Sequence, residues 1–244
     1  MTAERAPPEK LLVVNGLGAS YGGMPALRDV SLEVRRAEIV ALIGSNGAGK
    51  TTLLKALSRV IPCTGMITFS DYDLMPMTPD EVFGTGLVQV PEGRQLFDRM
   101  TVEDNLLMGA YCRDDNPAIA SDLDRIYGLF PRLRERRTQL AGSMSGGEQQ
   151  MCAMARGLMA RPELLMIDEM SLGLAPVVVA QLMDVLEAIR NEGVTVLLVE
   201  QDIYLALSAA DRGYVMDSGS IVRSGRARDL IDDPAVREAY LGLT

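Results

Sequence analysis

Gly44-Ser45-Asn46-Gly47-Ala48-Gly49-Lys50-Thr51 fits the pattern G-x-x-x-x-G-K-[ST]. Glu38 to Ile43, just before it, reads as a short apolar strand, and Thr51 to about Ser58, just after it, as a helix. Strand, glycine-rich turn and helix in that order make a phosphate loop. The glycines allow turns that a side chain would block and bring backbone N–H groups up to phosphate oxygens. The helix that follows directs its positive end at the same anion. Lys50 is placed to reach the β- and γ-phosphates of a nucleotide, and the Thr51 hydroxyl to ligate Mg²⁺, with Thr52 beside it.

A second segment completes such a site. Leu164-Leu165-Met166-Ile167 is a wholly apolar strand that ends in Asp168-Glu169. Asp168 is placed to hold Mg²⁺ directly or through water, and Glu169 to orient and deprotonate an attacking water. A guanine-reading N-K-x-D segment is ruled out, because the only lysines are Lys10, Lys50 and Lys55. Phosphoryl transfer to a small molecule stays open from the phosphate loop alone.

Further out, Leu11 to Val14, Val30 to Val34, Leu87 to Val90 and Val194 to Val199 also read as strands. Turn residues fall at Gly22, Gly23 and Pro25, and a hairpin signal at Asp217-Ser218-Gly219. Continuous apolar strands suit a parallel sheet buried on both faces. Thr101 to Leu140 is rich in helix formers and charges, Glu148 to Ala160 reads as a helix ended by Pro162, and Gln181 to Arg190 as another. Alternating strands and helices give an α/β fold. With 244 residues there is room for one domain with an inserted lobe.

The net charge of −9 opposes nucleic-acid binding. No apolar run approaches a membrane span, and the N-terminus MTAERAPPEK lacks a secretion signal, so a cytoplasmic chain is expected. Cys63, Cys112 and Cys152 are far apart and form no CxxC, which points to three reduced thiols. The chain has no histidine, which removes histidine triads and histidine metal sites.

Between the two nucleotide segments lies Ser143-Met144-Ser145-Gly146-Gly147-Glu148-Gln149-Gln150. A serine hydroxyl, two glycine amides and a helix N-terminus form a second anion cradle. This segment resembles the LSGGQ signature of ABC ATPases, and the resemblance runs from about Leu11 to Gly242. It implies a phosphate-loop core of parallel sheet flanked by helices, with an N-terminal antiparallel β subdomain and an inserted helical subdomain. On that basis residues 10–244 form one ATPase domain. Residues 10–91 and 161–244 make its core, 92–160 the helical subdomain, and 1–9 a flexible N-terminus. The resemblance also implies that ATP is clamped between two subunits, with Ser145, Gly146, Gly147 and Glu148 of one covering the nucleotide of the other. Tyr21 sits where the family stacks an aromatic ring on adenine.

Val90-Pro91-Glu92-Gly93-Arg94, Ser171-Leu172-Gly173-Leu174-Ala175-Pro176, Val199-Glu200-Gln201, Ala210-Asp211-Arg212-Gly213-Tyr214-Val215 and Arg237-Glu238-Ala239-Tyr240-Leu241-Gly242 are similar to ATPase subunits of branched-chain amino acid importers. That implies a partner ATPase, identical or related, and two membrane permeases on the inner face of the membrane. It also implies an extracytoplasmic amino-acid-binding protein. Urea or short amides as cargo, and a non-catalytic regulatory subunit, stay open. Three positions depart from the general ABC pattern, and the importer subfamily tolerates all three: Glu92 replaces the usual glutamine near Mg²⁺, Gln201 the histidine that senses the γ-phosphate, and Ala175 an aspartate. Met170 departs from the subfamily itself, which usually has proline after the glutamate. Gln201 can donate a hydrogen bond but carries no charge near neutral pH, which bears on hydrolysis by this subunit alone.

Overall fold

The structure is a computed structural model that describes residues 9–237. The segment Glu238 to Gly242 and most of the N-terminal stretch 1–9 therefore lie outside the described residues. Strands β1 (Lys10–Tyr21), β2 (Met24–Arg35), β4 (Thr64–Phe69) and β5 (Tyr72–Asp73) form an antiparallel sheet in the order β2-β1-β4-β5. A second sheet runs in the order β10-β9-β3-β8-β7-β6. It comprises β3 (Ile39–Ile43), β6 (Leu87–Val90), β7 (Leu164–Asp168), β8 (Thr195–Glu200), β9 (Arg212–Asp217) and β10 (Ser220–Arg226). Its pairs β9/β3, β3/β8, β8/β7 and β7/β6 are parallel, and β10 closes one edge antiparallel to β9.

Strand alternation splits the apolar residues of the second sheet between two cores. Ile39, Ala41, Ile43, Leu165, Ile167, Val196 and Leu198 face a helical layer. Val40, Leu42, Leu164, Met166, Leu197 and Val199 face α1 (Lys50–Leu57) and the antiparallel sheet. Both faces are covered, which is why β3, β7 and β8 read as unbroken apolar runs.

The helical layer contains α3 (Val102–Met108), α4 (Asn116–Leu129), α5 (Pro131–Glu135), α6 (Gly146–Leu158) and α7 (Pro176–Asn191). Helix α3 begins at a capping box in which the Thr101 hydroxyl accepts from the Asp104 amide at 3.0 Å. Helix α7 starts five residues before the Gln181 expected from the sequence. The run Val177-Val178-Val179 has weak helix propensity, but Pro176 sets the first helical φ. Four further helices are α2 (Pro79–Gly84), α8 (Ile203–Ala209), α9 (Ala227–Ile231) and α10 (Pro234–Val236).

Strands β1 and β2 run much further than their apolar centres. The register shifts between Val14 and Leu17, so the pattern of alternation breaks while pairing continues. At the far end of the chain, Ser218 (φ 47°) and Gly219 (φ 83°) make the tight turn between β9 and β10. Cys63, Cys112 and Cys152 are all free thiols, and burial pushes Cys152 up to about 12. No helix among the described residues is long and apolar enough to cross a membrane.

Candidate functional site

Strand β3 ends at Ile43 and the chain turns at once into the glycine-rich loop. A Cβ on Gly44 would lie 2.3 Å from the Met216 carbonyl oxygen, so only glycine lets the loop leave the sheet here. Gly49, the residue before α1, has φ 108° and would bring a Cβ within 3.1 Å of the Ala26 carbonyl. The Ala48 amide donates to the Ser45 carbonyl at 3.1 Å, closing the loop on itself. Lys50, the first residue of α1, is only 4% exposed. Its ammonium donates to the carbonyls of Gly44 (2.8 Å) and Ser45 (3.2 Å) and sits 3.4 Å from Glu169 Oε1.

Asp168 ends β7 beneath the loop, 1% exposed. Both of its carboxylate oxygens are buried without a hydrogen-bond partner. Burial raises its carboxyl group above the usual range; the neighbouring Thr51 hydroxyl and Lys50 oppose the rise, and the carboxylates of Glu169 and Glu92 add to it. Orphaned buried oxygens of this kind call for a cation, and the chemistry suits a hard divalent ion ligated by oxygen. No group of three or more His, Cys, Asp or Glu positioned to hold a metal occurs among the described residues. The phosphates and water would therefore supply most of the ligands, as is usual for Mg²⁺ at phosphate sites.

A cleft of about 660 Å³ opens above these groups. Tyr21, Asn46, Gly47, Gly49, Lys50, Thr51, Thr52, Glu92, Glu169 and Gln201 line it, all expected from the sequence. Gly44, Ser45, Ala48 and Asp168, also expected there, do not line it. Pro25, Ala26, Arg28, Leu172, Ser218 and Gly219 also line it, and sequence reasoning missed these. Two of them arrive by long-range pairing: the Gly219 amide donates to the Ala48 carbonyl at 2.9 Å, and the Arg28 amide donates to the Gly219 carbonyl at 2.8 Å. Tyr21 is 46% exposed at the tip of the β1–β2 hairpin, free to stack on a flat ring.

The serine-glycine segment is absent from that cleft and stands elsewhere on the surface. Ser145 is exposed and caps α6, with its amide and hydroxyl donating to Glu148 Oε2 at 3.0 and 2.8 Å. Burial works against the charge on Glu148, but these bonds and Arg136 at 2.6 Å hold its carboxyl group below the usual range. Glu148 is thus turned back onto the cap rather than outward. Helix α6 starts at Gly146, two residues before the start expected from the sequence, because Ser145 supplies the cap. Arg94 lies over Gly146 and donates to Gln149 Oε1 at 3.1 Å.

A glycine-rich loop feeding a helix, a buried aspartate and an adjoining glutamate define a phosphate-loop nucleotide-binding ATPase. The ABC transporter family profile matches residues 27–171. The chain belongs to that family and is one of its ATP-binding, ATP-hydrolysing subunits. It is 46% identical to the high-affinity branched-chain amino acid transport ATP-binding protein BraG of Pseudomonas aeruginosa, over 95% of this chain and 100% of BraG. It is 34% identical to the high-affinity branched-chain amino acid transport ATP-binding protein LivG of Salmonella typhimurium, over 96% of this chain and 98% of LivG. The crystal structure of an ATP-binding cassette of an ABC transporter in its ADP conformation superposes with a TM-score of 0.84 at 26% identity, covering 96% of this chain and 99% of that one.

Proposed function

We propose that this chain is the ATP-hydrolysing subunit of an importer for branched-chain amino acids. It would act peripherally on the inner face of the cell membrane as one half of an ATP-clamped dimer. The observation that carries the reading is the placement of two anion sites. Lys50 and the orphaned Asp168 serve one cleft, while the exposed Ser145 cap is absent from that cleft. A second phosphate cradle that its own nucleotide cleft does not use suits a neighbour's nucleotide. The identity to BraG supports the cargo.

In the mechanism that follows, Tyr21 stacks on adenine and the amides of Gly44 to Thr51 bind the phosphates. Lys50 holds the γ-phosphate; Thr51, Asp168 and Glu92 would hold Mg²⁺, which would supply positive charge to offset the negative charge developing on the phosphate oxygens. Thr52 completes the pocket wall. Glu169 takes the proton of the attacking water, while Gln201 donates to the γ-phosphate from the end of β8. Ser145, Gly146 and Gly147 of the partner close the site, with Glu148 holding the Ser145 cap in shape. Hydrolysis loosens the clamp, and the attached permeases change their facing.

Residues 10–91 and 161–244 act as the core in this scheme and 92–160 as the permease-facing lobe. A groove of about 440 Å³ lies where the two parts meet. Asp80, Phe83, Val88, Gln89 and Val90 of the core line one side and Phe97, Met108, Tyr111 and Arg156 of the lobe the other; Phe97 and Tyr111 are exposed aromatics. Large exposed apolar side chains around a cleft mark a docking surface. Two permeases, a partner ATPase and an extracytoplasmic binding protein complete the transporter, and nucleic acid has no part in it.

The test is reconstitution. The complex isolated through a tag on this chain, placed in vesicles with ATP inside, takes up labelled leucine, isoleucine or valine; uptake of urea or short amides in their place would reassign the cargo. A smaller experiment addresses the histidine position. Gln201→His preserves or raises basal hydrolysis of the purified chain, since imidazole also donates a hydrogen bond; complete loss of activity would show that the two positions are not equivalent.

A further inference from the structure

Glu200 has no role in the scheme above, yet it is a carboxylate buried to 2% exposure at the end of β8, one residue before Gln201. Burying a charge is costly unless it is fully hydrogen-bonded. Here it is bonded to one residue in particular. The Ser171 amide donates to Oε1 at 3.0 Å and the Ser171 hydroxyl to Oε2 at 2.9 Å. Ser171 lies two residues after Glu169. A second tether runs alongside, from the Glu169 amide to the Val199 carbonyl at 2.9 Å. Together they fasten the turn after β7 to the end of β8.

That turn is strained. Glu169 has φ 48°, a left-handed backbone that a glutamate keeps only where its surroundings impose it. The same conformation sets its carboxylate 3.4 Å from Lys50. Met170 anchors the turn in the core from one side, while Glu169, Ser171, Glu200 and Gln201 border a second cavity of about 470 Å³ that leaves their polar groups to be held by hydrogen bonds.

We propose that Glu200 is a positioning residue for hydrolysis. By clasping Ser171 it holds Glu169 in its left-handed conformation and keeps Glu169 in register with Gln201. The clasp leaves the phosphate loop alone, so it acts on the rate and not on nucleotide affinity. This rests on the reading of Glu169 as the base.

The experiment measures steady-state ATP hydrolysis and ATP binding for Glu200→Ala, Glu200→Gln, Ser171→Ala and Glu169→Gln, with thermal unfolding to confirm that each is folded. Glu200→Ala lowers kcat at least about tenfold, as expected when a catalytic group is misplaced, with KM and the ATP dissociation constant within about twofold of the parent. Glu200→Gln, which keeps one acceptor for Ser171, recovers most of the rate. Ser171→Ala loses one of the two bonds and falls about threefold; it decides the matter if Glu200→Ala does not fold. A parent-like kcat in folded Glu200→Ala, or a rise in KM that accounts for the whole loss, overturns the clasp. If Glu169→Gln is inactive while the other variants match the parent, the clasp alone is wrong. If Glu169→Gln turns over at the parent rate, the base assignment fails first and takes the clasp with it.

Discussion

Glu169→Gln stops ATP turnover, by about 10²- to 10⁴-fold, while ATP stays bound. The amide matches the carboxylate in shape and still hydrogen-bonds, but it cannot accept the proton of the attacking water. Binding is spared for a reason visible in the cleft. Three carboxylates, Asp168, Glu169 and Glu92, act on one another there, and each repels a triphosphate. Removing one charge lowers that repulsion, so affinity holds or improves. Because the nucleotide is not consumed, the clamped state accumulates. Gel filtration with ATP then shows a larger species, a pair of these chains or one chain with its natural partner, that the parent protein shows only transiently. Hydrolysis at the parent rate would remove Glu169 from the role of base, whatever the oligomeric state.

How far the site was legible from sequence depended on whether the information was local. The loop from Gly44 to Thr51, the strand before it and the helix after it are contiguous, so pattern and spacing specify them. Strands β3, β7 and β8 were legible for a different reason: burial on both faces forces apolar residues at every position but the strand ends. Strand β4 begins with Thr64, Gly65 and Met66, all exposed, and so carries little apolar signal. Helix α8 escaped although Asp202 caps it by accepting from the Leu205 amide at 2.9 Å, because its short, almost wholly apolar run follows only two residues after a strand. Helix α2 has a complete capping box, Thr78 with Glu81, and that signal was available in the residues T-P-D-E. Arg28, Ser218 and Gly219 reach the cleft only because two hairpins pack on the phosphate loop, and no local pattern encodes that approach. The bonds between Glu200 and Ser171 are of the same kind, made across neighbouring parallel strands.

Lys50→Ala abolishes tight ATP binding and leaves the fold intact. The ammonium is held by two main-chain carbonyls inside the loop and by Glu169, at 4% exposure. None of these contacts is needed to build the loop. The Ser45 carbonyl also accepts from the Ala48 amide, and glycine geometry sets the loop's path. What alanine removes is a positive charge held next to the phosphates. Hydrogen bonds to charged groups contribute about 1.5–3 kcal/mol each, so losing one or two weakens ATP binding by about one to four orders of magnitude. Thermal unfolding separates this from misfolding. Ligand at about 100 times its dissociation constant stabilises a protein by about 2.7 kcal/mol, and that increment vanishes for Lys50→Ala at the same ATP concentration, with the nucleotide-free transition close to the parent's. Lys55→Ala is the matched control. It lies on the same helix with an exposed side chain, so it loses a charge of the same sign without touching the loop. If Lys55→Ala bound ATP as weakly as Lys50→Ala, long-range charge would explain the loss. If Lys50→Ala bound ATP like the parent, the glycine-rich loop would not be the phosphate site, and the clamped dimer built on it would fall too.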